Sequence, residues 1–368
     1  MKGITFYIGH SFDLAYFYRL IPLIKSYGNF KFSCIIVKND YILRIKNIDF
    51  YLKTLFDDVL IIDRNNIPKE FSLNFIANFK KILYVLHKVK SIENKEILIS
   101  FDKSSQIINV VKPRFKKSIL LQSYSTENIR KNYKFGVLPT IISNIYNLLS
   151  GSNLKIIKIN RLTDLVVHHQ VIKDRSEIIY LSNNANIPNR FSLNIINSNR
   201  ITSNKVLIFG SRFLEWDYFK KWHVDSLLKI YRLLVETYPN SHFFYKPHPV
   251  EKGTEFQFLK KHVFGNRITL LNDMENTEFF LLNSSDFSFT FSIGSTSSRS
   301  SYDFGLNSYV FYKYLQLPLE IEATYDNIFI DQPNDFFIRE LETIKTLHSL
   351  VFSDSYMEYF ERVIKDLQ

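Results

Sequence analysis

"SHFFYKPHPVEKG", residues 241–253, opens as an apolar strand and ends in a turn built on two prolines. Pro247 fixes its own φ and biases Lys246 toward extended backbone, and Pro249 does the same to His248. The histidine between them therefore sits in a stiff segment. Stiffness lowers the entropic cost of holding a side chain in one place, as an acid, base or phosphate ligand requires. Imidazole is also the side chain whose charge switches near neutrality. Taken alone, the stretch reads equally as a turn whose histidine caps its own loop.

Its neighbours raise the functional reading. Upstream, "KVLIFGS" (205–211) is a strand ending in Gly210 and Ser211. The helix after it carries Val224, Leu227, Leu228, Tyr231 and Val235 at the spacing of one apolar face. Downstream, "RITLLN" reads as a strand, "NTEFFLLNS" as a short helix and "NSYVFY" as a strand. Between the last two, "DFSFTFSIGSTSSRSSYDFG" reads as strand, hydroxyl-rich loop and helix. Strands alternating with helices imply an α/β fold with a mostly parallel sheet. In such sheets ligands bind outside the carboxyl ends of the strands. That rule selects the loops after Phe209, Tyr245 and Phe291.

The first half has the same rhythm. "ITFYIG", "KFSCIIV", "DVLIID", "EILISF" and "SILLQS" read as strands. Leu14, Phe17, Tyr18 and Ile21 recur at helical spacing after the capping stretch "HSFD", and "NFIANFKKILYVLHKVKS" is helical in period. After Pro139 the pattern blurs into a helix and an irregular connection, and "SEIIYLS" opens the second half. The expected division is an N-terminal Rossmann-like domain over 1–165, a C-terminal one over 166–335 and a helical tail over 336–368. The economical architecture is two such halves facing each other across a cleft.

Three loops supply chemistry. Gly210 lets backbone approach a ligand closely, although a glycine there is more often a plain turn. His248 is held by its flanking prolines. Ser295, Thr296, Ser297 and Ser298 stand where a helix begins, and ordinary capping needs only one hydroxyl. Free N–H groups and the dipole of a helix start bind anions, and hydroxyls add donors. Together they predict a phosphate-binding site for a nucleotide or nucleotide-sugar.

The chain has 368 residues, 46% hydrophobic and 23% charged, which is a globular composition. Its formal net charge is +11, which admits nucleic acid, an anionic membrane surface or anionic small substrates as partners. The basic residues are scattered and no nucleic-acid-binding motif accompanies them, so no nucleic-acid partner is expected. Most read as solvated faces. Short Lys/Arg clusters beside aromatics suit an anionic leaflet next. Several chemistries lack their motifs: there is no GxxxxGK[ST], no GxGxxG and no HExxH. Neither a metal nor a cofactor is expected. The single cysteine, Cys34, reads as a buried strand thiol, since one cysteine forms no internal disulfide. Neither a signal peptide nor a membrane-spanning run is expected.

"KPHP" (246–249) with Glu251, followed by "GSTSS" (294–298), resembles the bacterial sialyltransferases and polysialyltransferases, which share a His-Pro and a Ser-Ser/Thr motif. Capsule Kdo transferases look similar, and CDP-glycerol phosphotransferases do so more distantly. The resemblance covers 205–312 well and the first half in outline. It implies the GT-B architecture with the cytidine nucleotide held by the C-terminal domain. It implies an inverting, metal-independent glycosyltransferase. Such an enzyme moves an acidic sugar from a CMP-sugar donor, itself a substrate, to a surface glycan such as lipo-oligosaccharide or capsule. His248 would protonate or hydrogen-bond the departing CMP phosphate, and Pro249 would hold its backbone. Ser297 and Ser298, with Ser295 and Thr296, would bind that phosphate. Lys246 lies outside the shared motif, and a cation there makes sense on charge grounds. Gly210 and Ser211 complete the expected nucleotide site.

The acidic pair followed by glycine that supplies the family's general base is missing. After "SILLQS" the chain reads "YSTENIRK" instead. Glu127 is the stand-in, with Asp13 and Asp102 competing. Rival readings are a CDP-glycerol or CDP-ribitol phosphotransferase, a UDP-sugar transferase, and a non-catalytic glycan- or membrane-binding protein of an export complex. The expected location is the cytoplasmic face of the inner membrane, docked peripherally on a glycolipid acceptor.

Overall fold

The structure is a computed structural model. It describes residues 2–39, 42–45, 47–67, 75–101, 106–123, 134–136, 166–168, 177–182, 187, 190–191, 203–251, 253–271, 277–283, 286–347, 350 and 358–366. Contacts group Met1–Leu181 with Met357–Gln368 as one unit and Ser182–Tyr356 as the other.

In the first unit, β1 (Lys2–Ile8), β2 (Phe30–Lys38), β3 (Asp58–Asp63), β4 (Ile97–Ser100), β5 (Lys117–Ser123) and β8 (Glu177–Leu181) form one sheet. Its order is β3-β2-β1-β4-β5-β8, and the two-residue strand β9 (Arg190–Phe191) falls among the second unit's residues. The pairings from β3 through β8 are parallel. A separate antiparallel pair is β6 (Lys134–Gly136) with β7 (Val166–His168). Helices α1 (Ser11–Lys25), α2 (Ile48–Leu55), α3 (Phe75–Lys90) and α4 (Gln106–Val111) connect the strands. β1, β2 and β4 are buried through nearly their whole length, as continuous apolar runs covered on both faces must be. Glu177–Leu181 pairs with β5, Ile119 opposite Glu177 through Ser123 opposite Leu181. This strand, expected to open the second half, thus belongs to the first sheet. The helix and connection expected over 140–164 lie outside the described residues.

The second unit holds β10 (Lys205–Phe209), β11 (His242–Lys246), β12 (Ile268–Leu270), β13 (Phe289–Ser292) and β14 (Ser308–Val310) in the order β12-β11-β10-β13-β14, all parallel. Its helices are α5 (Lys221–Thr237), α6 (Thr254–Leu259), α7 (Thr277–Asn283), α8 (Thr296–Asp303), α9 (Leu319–Ile328) and α10 (Glu342–Lys345). The last helix, α11 (Glu358–Lys365), returns to the first unit, where Tyr27 Oη donates to Glu361 Oε1 at 2.6 Å. One aromatic-rich core under the second sheet joins Ile208, Tyr231, Phe243, Tyr245, Phe291 and Tyr312.

Both sheets repeat one rule. The chain first winds outward in one direction (β1 to β3, β10 to β12) and then restarts on the other side of its first strand. The order reverses between β1 and β4, and again between β10 and β13. Such switch points leave room at the carboxyl edge of a sheet, because the two flanking loops run to opposite faces. The loop after β10 carries Gly210 and Ser211, and the loop after β13 carries Gly294 and Ser295, with Thr296 and Ser297 opening α8.

Candidate functional site

The predicted nucleotide residues stand at the carboxyl ends of three adjacent strands, β11, β10 and β13. Gly210 N–H donates to Lys246 O at 2.9 Å, which ties the first loop to the second. A Cβ on Gly210 would lie 2.3 Å from Tyr245 Oη and 2.7 Å from Glu251 Oε2. Those two atoms hydrogen-bond to each other at 2.7 Å. Glycine is therefore required here because a tyrosine–carboxylate pair fills the place of its side chain. Gly210→Ala is expected to cost about 1–3 kcal/mol in a urea melt, and to weaken nucleotide binding by loosening Glu251.

Glu251 shapes the histidine turn. Its Oε2 also accepts the His248 N–H at 3.3 Å, its Oε1 accepts Phe256 N–H at 3.3 Å, and its own N–H donates to His248 O at 2.8 Å. Val250 N–H donates to His248 Nδ1 at 3.4 Å. A ring nitrogen that accepts carries no proton, so the neutral ring holds its proton on Nε2. His248, Pro249 and Val250 are exposed. Loss of hydration in the turn, and then the nearby Arg212 charge, push the imidazole below its ordinary value, while Glu251 and Glu215 pull it back. At neutral pH the turn thus presents a neutral Nε2–H donor.

Beneath these loops lies Glu255, fully buried on α6. Its Oε1 accepts Ser211 N–H at 3.3 Å and its Oε2 accepts Phe213 N–H at 3.0 Å, so the carboxylate straps the Gly210–Phe213 loop. Burial and then the Glu251 charge raise Glu255 from 4.5 to about 7, with the backbone donors and Tyr245 pulling down. Its folded pKa lies above its unfolded one, so its stabilising contribution is complete below pH 4.5 and is lost as pH rises through about 7. The thermal midpoint is expected to fall between pH 5 and 8, Glu255 accounting for on the order of 3 kcal/mol. Glu255→Gln should flatten that profile in calorimetric melts. Ser211 Oγ, beside this strap, is buried with no partner among the described residues. Arg212 follows at φ 63, a left-handed conformation unusual for a long side chain, with its guanidinium paired to Glu215.

The hydroxyl cluster divides into two roles. Ser295 caps α8, its Oγ accepting Ser297 N–H at 3.2 Å. Ser292 Oγ accepts Ser295 N–H at 2.9 Å and meets Ser298 Oγ at 2.7 Å. Ser298 is fully buried and its N–H donates to Ser295 O at 3.0 Å, so it anchors the helix from below. Ser297 is half-buried with Oγ 2.9 Å from Thr277 Oγ1. Thr296 is exposed, and its N–H and hydroxyl have no partner among the described residues. A Cβ on Gly294 would meet the Tyr325 ring at 2.6 Å, so this loop too is fitted to an aromatic wall.

Helix α7 joins the second loop to the third. Lys246, nearly buried, places Nζ 4.9 Å from the Phe280 ring centre. Glu278 Oε1 accepts Ser300 Oγ–H at 2.7 Å. Burial raises the Glu278 carboxyl, while Ser300 and the Lys246 charge lower it. The site can therefore offer a neutral imidazole donor, a buried ammonium and an open helix-start donor at one sheet edge.

Of the three carboxylates expected as general base, Asp13 is among the described residues. Asp13 is fully buried in the first unit, where its Oδ2 accepts Gly9 N–H at 2.8 Å and His10 N–H at 2.9 Å. It holds the β1–α1 turn at that sheet's switch point. Glu127 and Asp102 lie outside the described residues. Sequence reading missed Glu255, Tyr245 and Glu278. The four-residue step from Glu251 to Glu255 was a signal for the first, since it puts two carboxylates near one loop.

Two Rossmann-like units with parallel sheets define the GT-B class of fold. A UDP-GlcNAc 2-epimerase from Methanocaldococcus jannaschii matches with a TM-score of 0.50 at 11% identity, covering 99% of each chain. An alpha/beta-galactoside alpha-2,3-sialyltransferase from Photobacterium phosphoreum matches with a TM-score of 0.45 at 12% identity, covering 92% of this chain and 98% of that one. Comparison with curated proteins gives no match. The family model for alpha-2,8-polysialyltransferase (POLYST) matches residues 51–298, and the chain belongs to that family of glycosyltransferases.

Proposed function

We propose that the chain is an inverting, metal-independent transferase moving an acidic sugar from a CMP-sugar donor to a cell-surface glycan. The sugar is sialic acid, a related nonulosonic acid or Kdo, and the acceptor is a glycan of the lipo-oligosaccharide or capsule type. One observation carries this reading: His248, whose Nδ1 accepts Val250 N–H, shares a sheet edge, beside the β10/β13 switch point, with the open start of α8.

In the proposed step the acceptor oxygen bonds to the anomeric carbon as the bond from that carbon to the CMP phosphate oxygen breaks. The electron pair leaves on the phosphate. His248 Nε2–H and the Thr296 N–H and hydroxyl meet that growing charge, with Ser297 and the Lys246 ammonium adding to the field. Ser295 and Ser298 set the loop, Pro249 stiffens the turn, and Gly210 and Ser211 line the nucleotide. A carboxylate takes the acceptor proton, with Glu127 and Asp13 as candidates. No helix among the described residues is long and apolar enough to cross a membrane. With a net charge of +11, peripheral docking on the inner leaflet fits a lipid-linked acceptor.

The test is incubation with CMP-sialic acid, with and without a sialylated oligosaccharide acceptor, read by mass spectrometry. Expected are CMP release and an acceptor heavier by one sialic acid. A phosphorus-containing product from CDP-glycerol, with CMP-sialic acid untouched, overturns the donor assignment.

A further inference from the structure

Helix α3 has two faces of opposite character. Ile82, Val85 and Val89 are buried against the first sheet, together with Asn78. The opposite face carries Ile76, Phe79 and Leu83, exposed by 74%, 40% and 48%. These three sit at i, i+3 and i+7, so they form one stripe along the helix. Lys80, His87 and Lys90 are exposed around that stripe, Lys81 and Lys88 lie on its flank, and Lys88 Nζ stands 5.7 Å from the Tyr84 ring centre. The helix "FIANFKKILYVLHKVK" contains no acidic residue.

We infer that this face of α3 is a docking surface for an anionic lipid bilayer. An apolar stripe edged by lysines, lying along a surface helix, matches a leaflet twice: side chains enter the acyl boundary and ammonium groups meet phosphates. Charge decides against the other occupants. A second copy seated on the same face would set lysines against lysines. Nucleic acid would meet the phosphate-matching rim but leave the apolar centre against water. The inference gives peripheral docking a definite place on the chain, and it does not need the donor assignment.

Vesicle co-sedimentation of the full chain tests it, with phosphatidylcholine alone and with phosphatidylcholine mixed with phosphatidylglycerol. The wild type is expected to bind the mixed vesicles, less so at high salt. Ile76→Ser/Phe79→Ser/Leu83→Ser should weaken that binding by roughly tenfold or more, and Lys80→Glu/Lys88→Glu by a similar factor. All these side chains are exposed or on the flank of the helix, so thermal melts should show the fold kept. Calorimetric binding of CMP should be unchanged, which separates this surface from the nucleotide site. Equal partition of the triple variant and wild type overturns the proposal, as does a wild type indifferent to phosphatidylglycerol. A dimer in sedimentation that the triple variant dissolves, without vesicle binding, also overturns it and assigns the face to a second copy.

Discussion

His248→Ala is expected to lower kcat with CMP-sialic acid by about 10²–10⁴-fold, while moving the thermal midpoint little. The chemical loss is large because, in the proposed step, the ring supplies the directed donor at the departing phosphate. The structural loss is small because the ring is exposed and makes one weak contact, Nδ1 accepting Val250 N–H at 3.4 Å. The turn itself is held by Glu251 and the two prolines, which the substitution leaves in place. His248→Gln offers an amide donor and should recover part of the loss. Steady-state kinetics should place the effect in kcat more than in KM, since the interaction strengthens as charge develops. Unchanged turnover in the alanine variant would remove His248 from the chemistry.

Arg299→Met is expected to cost about 3–5 kcal/mol in equilibrium urea unfolding. Arg299 is nearly buried in α8, with Nη2–H donating to Asp331 Oδ2 at 2.5 Å and Nη1–H to Ile328 O at 2.6 Å. Its Nε lies 3.7 Å from Asp303 Oδ2. Burial holds the Asp303 carboxyl near 7, Arg299 pulls it down, and Asp331 pushes it up. Removing the guanidinium leaves two buried carboxyls facing each other, so the cost is that of uncompensated buried charge. The loss should shrink at lower pH, where Asp303 takes a proton. The Arg299→Met/Asp331→Leu double variant should recover much of it, which distinguishes charge from lost packing. Because α8 carries the hydroxyls that open at Thr296, the single variant should also weaken CMP binding.

The strands of both sheets were readable from their apolar runs, since parallel strands covered on both faces leave little room for polar residues. "KFSCIIV", "SILLQS" and "KVLIFGS" each became a strand. Sheet order was readable only as a class, because nothing in "SEIIYLS" says which sheet it joins. That is settled by its pairing with β5. The short α2, "IDFYLKTL", was not anticipated. At the site, the flanking prolines announced that His248 is held, and "GSTSS" announced a helix start. The division of labour among its hydroxyls was not legible. Thr296 is outward and Ser298 inward because Ser292, at the end of β13, takes Ser298 as its partner, and that depends on packing between strand and helix. Glu255 was equally hidden: only the fold brings α6 beneath the Gly210 loop.

The most direct test of the nucleotide site is calorimetric titration of CMP and of UDP into the wild type and into Thr296→Val. The account predicts CMP binding, UDP weaker by roughly tenfold or more, and CMP affinity reduced by a similar factor in Thr296→Val. Tight UDP binding with none for CMP would contradict it, as would CMP affinity indifferent to Thr296.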